Sequence, residues 1–260
     1  MNIIHVDANR FLIREASLQK ISGKWMQIVD EIIETCKVHL GSHIVSIYVG
    51  GSVAHGCAIE NKSDVDTYAI VDLNKEELDN LYDIWVERER KRIDRMFPFQ
   101  RGVEIHLVSK NHMSEGRKFQ MKVLSALVYG KDFDTELPKY KLDRETLGRI
   151  RVNVGKDIEM ATKEIQETDD SREIIRICAW ISKRLIRSAG MTCMWKGDIF
   201  TMDVAVLMDV ATANYPDKKV EISRLLEYTE NPISSKIEIV DILNTFGMWL
   251  VEEDRKVFHL

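Results

Sequence analysis

Two neighbouring segments constrain the fold of this chain more than any other feature of its sequence. Residues 47–52 read Ile-Tyr-Val-Gly-Gly-Ser, an apolar strand that ends in a glycine turn, and residues 63–68 read Ser-Asp-Val-Asp-Thr-Tyr. Side chains two residues apart on a strand point to the same face, so Asp64 and Asp66 are expected to lie together and to bind a divalent cation. The glycine turn and the hydroxyl that follows it offer donors to phosphate oxygens. A cation held beside a phosphate-binding turn predicts metal-assisted chemistry on phosphorus.

A third acidic residue follows in the next predicted strand. Residues 103–108 alternate apolar and polar side chains, with Glu104 between Val103 and Ile105. Burying a carboxylate in the middle of a strand costs free energy unless a cation or a donor compensates it, so Glu104 is predicted to face the site of the aspartate pair. His106 shares that face, where a structural role and a role in orienting Glu104 both remain open.

The periodicity of apolar residues divides the chain into two parts. In the first part, helices are predicted at residues 24–40, 75–96 and 114–128, and strands at residues 44–49, 64–71 and 103–108. Turn residues around Pro138 place a domain boundary there, giving domains of residues 1–138 and 139–260. In the second domain every periodic segment is helical, at residues 144–167, 171–189, 201–214, 220–229 and 234–257. The predicted architecture is therefore an α/β domain followed by an all-α helical bundle.

Composition narrows the class of function. The 260 residues are 45% hydrophobic and 30% charged, which is typical of a globular protein, and the formal net charge is -5. A negative net charge disfavours binding of long nucleic acid and favours a small substrate. The four cysteines show no metal-ligand spacing, and neither a signal peptide nor a membrane span is predicted. A cytoplasmic location without a membrane partner is expected.

The order and spacing of the site residues resemble the nucleotidyltransferase superfamily, which includes DNA polymerase β and the aminoglycoside nucleotidyltransferases. The resemblance rests on the glycine turn at residues 50–52, the Asp-x-Asp pair at residues 64–66, and Glu104. Within the superfamily, residues 101–106 are similar to the bacterial streptomycin/spectinomycin adenylyltransferases. The resemblance implies an N-terminal nucleotidyltransferase domain with a small mixed β-sheet, a C-terminal helical bundle, and an active site in the cleft between them.

The resemblance also implies a role for each site residue. Asp64 and Asp66 are expected to bind Mg²⁺, and Glu104 is expected to be either the base that accepts a proton from the acceptor hydroxyl or a third metal ligand. The residues expected to contact ATP, or another nucleoside triphosphate, are Gly50, Gly51, Ser52, Ser63 and Lys183. For Lys183, which is adjacent to Arg184 on a predicted helix, a solvated surface position is the alternative.

These features predict Mg²⁺-dependent transfer of a nucleoside monophosphate, AMP from ATP first, to a hydroxyl group of a small molecule, with release of pyrophosphate. An aminoglycoside antibiotic is the expected acceptor, which would make antibiotic resistance the biological role. Two alternatives remain open. One is nucleotidyl transfer to protein or RNA, as in nucleotidyltransferases of toxin–antitoxin systems, and the other is a non-catalytic module that only binds nucleotide.

Overall fold

The chain divides into two units in a computed structural model that describes residues 3–258, with the backbone alone described at positions 75, 79, 80, 82, 83 and 84. The first unit comprises residues 1–7 and 11–140, and the second comprises residues 8–10 and 141–260. Among the described residues, no helix is both long enough and apolar enough to cross a membrane. An α/β unit followed by a helical unit confirms the predicted fold class.

A four-stranded mixed sheet forms the centre of the first unit. The strands of this unit are β1 (Ile3–His5), β2 (Ile44–Val49), β3 (Val65–Val71), β4 (Val103–Ser109) and β5 (Ala126–Gly130). The sheet has the spatial order β4-β3-β2-β5, in which β2 is antiparallel to β3 and to β5, and β3 is parallel to β4. The parallel register places Asp66 directly opposite Glu104. Two acids that are far apart in sequence therefore meet on adjacent strands.

Helices cover one face of this sheet more fully than the other. The helices of the first unit are α1 (Lys24–Leu40), α2 (Gly51–Ala54), α3 (Lys75–Met96) and α4 (Glu115–Phe119). Buried residues of α1 and α3 share a core with Val65, Ala69 and Val71 of β3. The alternate residues Tyr68 and Ile70 belong to a smaller cluster on the opposite face. Because side chains alternate along a strand, Asp66 projects from the face that carries the smaller cluster.

The helix predicted at residues 114–128 is wrong in its second half. It ends as a π-helical turn, Gln120–Leu124, and Ser125 then adopts extended dihedral angles at the start of β5. A short apolar run can form either a helix or a strand, and periodicity alone does not distinguish them. Here the free edge of β2 supplies hydrogen-bond partners, with Ala126 opposite Val49. Tertiary pairing therefore decides the structure of this segment.

The second unit is almost entirely helical. Its elements are α5 (Arg144–Ile150), α6 (Val154–Glu167), α7 (Ser171–Met194), β6 (Ile199–Thr201), α8 (Val204–Asn214), α9 (Lys219–Glu230), α10 (Lys236–Ile242) and α11 (Met248–Phe258). The single helix predicted at residues 144–167 is interrupted, because Asn153 caps α6 by accepting a hydrogen bond from the Lys156 N–H. The helix predicted at residues 234–257 contains a π-helical turn, Leu243–Gly247, between α10 and α11. The predicted helical character is otherwise confirmed.

Candidate active site

The aspartate pair lies at the beginning of β3. Val65 and Thr67 are only 0% and 1% exposed and face the core, so Asp66 between them faces the opposite side and is half-buried. Asp64 immediately precedes the strand and is exposed. Both carboxylates act electrostatically on the hydroxyl group of Tyr68, two residues further along the same face. Both acids therefore lie near Tyr68, and their joint binding of a cation stays a prediction.

The glycine turn is packed directly against the second aspartate. Gly51 has a φ of +64°, a left-handed conformation that side chains rarely adopt, and a Cβ atom built on it would lie 2.9 Å from Asp66 Oδ2. The Gly50 N–H donates a hydrogen bond of 2.9 Å to the carbonyl oxygen of Asp66. Ser52 follows in the first turn of α2 and is half-buried. Position 51 therefore requires glycine for two reasons. The backbone has a positive φ, and the Asp66 carboxylate leaves no room for a side chain.

Glu104 is held in place by an arginine that sequence patterns did not indicate. Arg90 of α3 donates from Nη2 to Glu104 Oε1 at 2.9 Å and from Nε to the carbonyl oxygen of Val103 at 2.7 Å. The hydroxyl of Thr67 donates to the backbone carbonyl of Glu104 at 2.6 Å. These contacts fix both the backbone and one carboxylate oxygen of Glu104 beside the strand that carries Asp66.

The carboxylates of the aspartate pair are suitable ligands for Mg²⁺. Magnesium is commonly bound by one or two carboxylates, with water and substrate phosphate oxygens as the other ligands, so Asp64 and Asp66 are sufficient on the protein side. Within residues 3–258, no group of three or more His, Cys, Asp or Glu side chains is arranged to hold a metal ion. Glu104 contacts Arg90 in this arrangement, and its role as a third metal ligand stays a prediction.

Further polar side chains surround Tyr68 on the face of the aspartates. Gln120 donates a hydrogen bond of 2.5 Å to the Tyr68 hydroxyl, the guanidinium of Arg117 lies 4.4 Å from the centroid of the Tyr68 ring, and His106 stacks on that ring at 5.2 Å. Burial raises the pKa of Tyr68 above its usual range, and the negative charge of Asp66 raises it further. Burial, together with the nearby Arg117, lowers the pKa of His106 to about 4. Both rings are therefore uncharged near neutral pH.

Strand periodicity, which places His106 on this face, could also have indicated Tyr68 but not Arg117 or Gln120. Tyr68 follows Asp66 by two residues, so strand periodicity places it on the same face. Arg117 and Gln120 lie in the segment predicted as a regular helix, and their position depends on the π-helical turn and on β5.

Two further residues, Ser63 and Lys183, were predicted to contact nucleotide. The hydroxyl of Ser63 accepts a hydrogen bond of 2.9 Å from the Ile59 N–H, which closes the loop that leads to Asp64. Lys183 is a half-buried residue of α7 in the second unit. A contact between nucleotide and either of these residues stays a prediction.

The segment that carries this site is similar to a known family of domains. Residues 29–132 match the family model of the nucleotidyltransferase domain. Among curated proteins, none matches the chain significantly by sequence. Among solved structures, the chain is similar to spectinomycin adenyltransferase AAD(9) from Enterococcus faecialis, determined with ATP and spectinomycin, with 14% identity and a TM-score of 0.50 over 88% of this chain and 99% of that chain. At this identity the likeness shows a shared fold.

Proposed function

We propose that this chain, whose residues 29–132 match the family model of the nucleotidyltransferase domain, transfers AMP from ATP to a hydroxyl group of a small molecule, with Mg²⁺ as the cofactor and pyrophosphate as the second product. The observation that carries this proposal is the packing of the glycine turn on Asp66, with 2.9 Å between Asp66 Oδ2 and the position of a Gly51 Cβ atom. A phosphate-binding turn and a metal-binding carboxylate in contact suit a substrate that brings both phosphate and metal.

Each residue of the first unit's site has a defined task in substrate binding. Asp64 and Asp66 would hold Mg²⁺, which supplies positive charge to the phosphates when bound. The N–H of Gly51 and the hydroxyl of Ser52 would donate hydrogen bonds to phosphate oxygens. The protein thereby positions the α-phosphorus for in-line attack, and positioning supplies most of the catalysis in this kind of transfer.

Glu104 would act as the general base in the transfer step. Its Oε1 is engaged by Arg90, whereas its Oε2 has no hydrogen-bond partner within the described part of the chain and is available to the acceptor. The acceptor oxygen forms a bond to the α-phosphorus and its proton passes to Glu104, while the bond from the α-phosphorus to the bridging oxygen breaks and pyrophosphate leaves. The nucleoside monophosphate therefore passes directly from ATP to the acceptor, with no covalent intermediate on the protein.

The choice of substrates is supported by the structural comparison. The similar enzyme from Enterococcus was determined with ATP and spectinomycin, so ATP and an aminocyclitol or aminoglycoside hydroxyl are the first donor and acceptor to test. The negative net charge of -5 suits a cationic antibiotic better than it suits a nucleic acid. On this proposal the protein confers antibiotic resistance.

Pyrophosphate release from ATP tests the proposal. Purified protein is incubated with ATP, with or without Mg²⁺, and with spectinomycin, streptomycin, other aminoglycosides, protein or RNA as acceptors. We expect release that requires Mg²⁺ and a small acceptor, and a loss of at least about 100-fold in Asp66→Asn. Asp72→Asn is the matched control, because Asp72 is exposed and pairs with Lys110 at the other end of β3.

The outcomes separate the alternatives. Release that depends on protein or RNA would replace the small-molecule acceptor with a macromolecule. Binding of ATP without release under any condition would indicate a non-catalytic module. Full release by Asp66→Asn would show that the proposed site is not the catalytic one.

A further inference from the structure

A cationic side chain lies over the aspartate face of the sheet. Arg117 belongs to α4, where its N–H donates to the Ser114 hydroxyl at 3.2 Å, and its guanidinium lies 4.4 Å from the centroid of the Tyr68 ring. Tyr68 is only 4% exposed, so the half-buried guanidinium forms the outer layer over the ring. The guanidinium also hydrogen-bonds to the Tyr68 hydroxyl. These contacts fix its plane, and because a guanidinium has five N–H donors, others remain to bind a further partner.

Among the described residues, Arg117 forms no ion pair within 4 Å of a carboxylate. Neighbouring basic residues are paired, since Lys118 contacts Glu115 at 2.8 Å and Lys122 contacts Asp134 at 2.9 Å. Within residues 3–258, by contrast, no ion pair joins Arg117 to an acidic side chain. Because no salt bridge within 4 Å has to be broken first, this guanidinium can bind an anionic ligand directly.

The Tyr68 ring connects Arg117 to the phosphate-binding turn. A Cβ atom built on Gly50 would lie 3.1 Å from Tyr68 Cε2 and 3.5 Å from Gln120 Nε2. The hydroxyl of Tyr68 is acted on electrostatically by Asp66, by Arg117 and by Asp64. The turn, the aspartate pair and the guanidinium are therefore grouped around one buried aromatic ring.

We propose that Arg117 binds the β- and γ-phosphates of the nucleoside triphosphate and remains bound to pyrophosphate as it leaves. The proposal rests on the proposed nucleotidyl transfer and adds a donor-binding residue to it. The planar fork of a guanidinium matches phosphate oxygens, and its positive charge suits a polyphosphate rather than a cationic acceptor. The Asp64 and Asp66 carboxylates would repel a triphosphate without a cation, and Arg117 supplies a permanent positive charge on the same face.

Equilibrium binding of three phosphate compounds tests this role. Dissociation constants for ATP, AMP and pyrophosphate are measured with Mg²⁺ by calorimetry for the wild type, Arg117→Gln and the matched control Lys118→Gln. Arg117→Gln is expected to weaken ATP and pyrophosphate by about 10- to 100-fold, the usual worth of charged hydrogen bonds, and to change AMP no more than the control does. Circular dichroism and thermal unfolding establish that each variant is folded.

A second variant keeps the test decisive if Arg117→Gln unfolds. Arg117→Lys retains the charge and loses the fork, so it should weaken ATP by an intermediate factor while AMP binding is unchanged. If a folded Arg117 variant binds ATP and pyrophosphate as Lys118→Gln does while wild-type transfer proceeds, this inference is wrong and the proposed function stands. If the wild type binds no nucleoside triphosphate with Mg²⁺, the proposed function and this inference are both wrong.

Discussion

Replacement of Gly51 by alanine tests whether the glycine turn positions the metal-binding carboxylate. The substitution has two separable effects. A side chain at a φ of +64° is strained, and the new Cβ atom would lie 2.9 Å from Asp66 Oδ2. The strain acts on the stability of the fold, whereas the contact acts on the position of the carboxylate.

The two magnitudes follow from the geometry. Left-handed backbone in a residue other than glycine costs about 1–2 kcal/mol, which lowers the melting temperature by roughly 2–8 °C in a protein of this size. Ordinary contact begins at 3.4 Å, so the Asp66 carboxylate must move by about 0.5 Å. A misplacement of about 1 Å can cost about 100-fold in rate, so we expect a decrease in kcat of about 10-fold.

Gly23→Ala is the matched control for this prediction. Gly23 has a φ of +55°, but nothing lies within 4 Å of the position of its Cβ atom. Both variants should lose similar stability in thermal unfolding, and only Gly51→Ala should lose kcat in the pyrophosphate-release assay. Equal kcat values for the two variants would refute the reasoning that the turn positions Asp66.

The remaining predictions concern Glu104, the fold and the thiols. Arg90→Gln should lower kcat by about 10-fold with little change in the KM for ATP, because it releases the Glu104 carboxylate; steady-state kinetics measure both, and a change in KM alone would contradict the role. Gly130→Ala should destabilise the first unit by about 2–4 kcal/mol in urea unfolding, because its Cβ atom would clash with the Val45 carbonyl, and unchanged stability would argue against the pairing of β5. Cys57 should react first with iodoacetamide, as judged by mass spectrometry, because the other three cysteines are buried; earlier labelling of any of those would contradict the packing.

Local patterns were enough to predict the turn and the aspartate pair. The strand Ile44–Val49 and the helix Lys24–Leu40 have the predicted bounds, because each has a single periodicity and ends at turn residues. The face on which Asp66 lies follows from strand alternation alone. The pairing of Asp66 with Glu104 depends on strand order, which no local pattern shows. The cost of burial was the reason for placing Glu104 with the aspartates, but its side chain is 41% exposed and contacts Arg90.

Features that depend on tertiary contacts were not predicted. Arg90 reaches Glu104 across the packing of α3 on β4, and no local pattern distinguishes it from the other basic residues of α3. Arg117 lies over Tyr68 only because the chain leaves α4 through a π-helical turn and forms β5. The free edge of β2 selects a strand for residues that could also continue a helix.

The fate of the α-phosphate tests the central claim most directly. Protein, Mg²⁺ and a small-molecule acceptor are incubated with ATP labelled at either the α- or the γ-phosphate, using the wild type and Asp66→Asn. The account predicts that the α label enters the acceptor, that the γ label appears only in pyrophosphate, and that Asp66→Asn transfers neither. Entry of the γ label into the acceptor, or α-label transfer by Asp66→Asn at the wild-type rate, would contradict nucleotidyl transfer at this site.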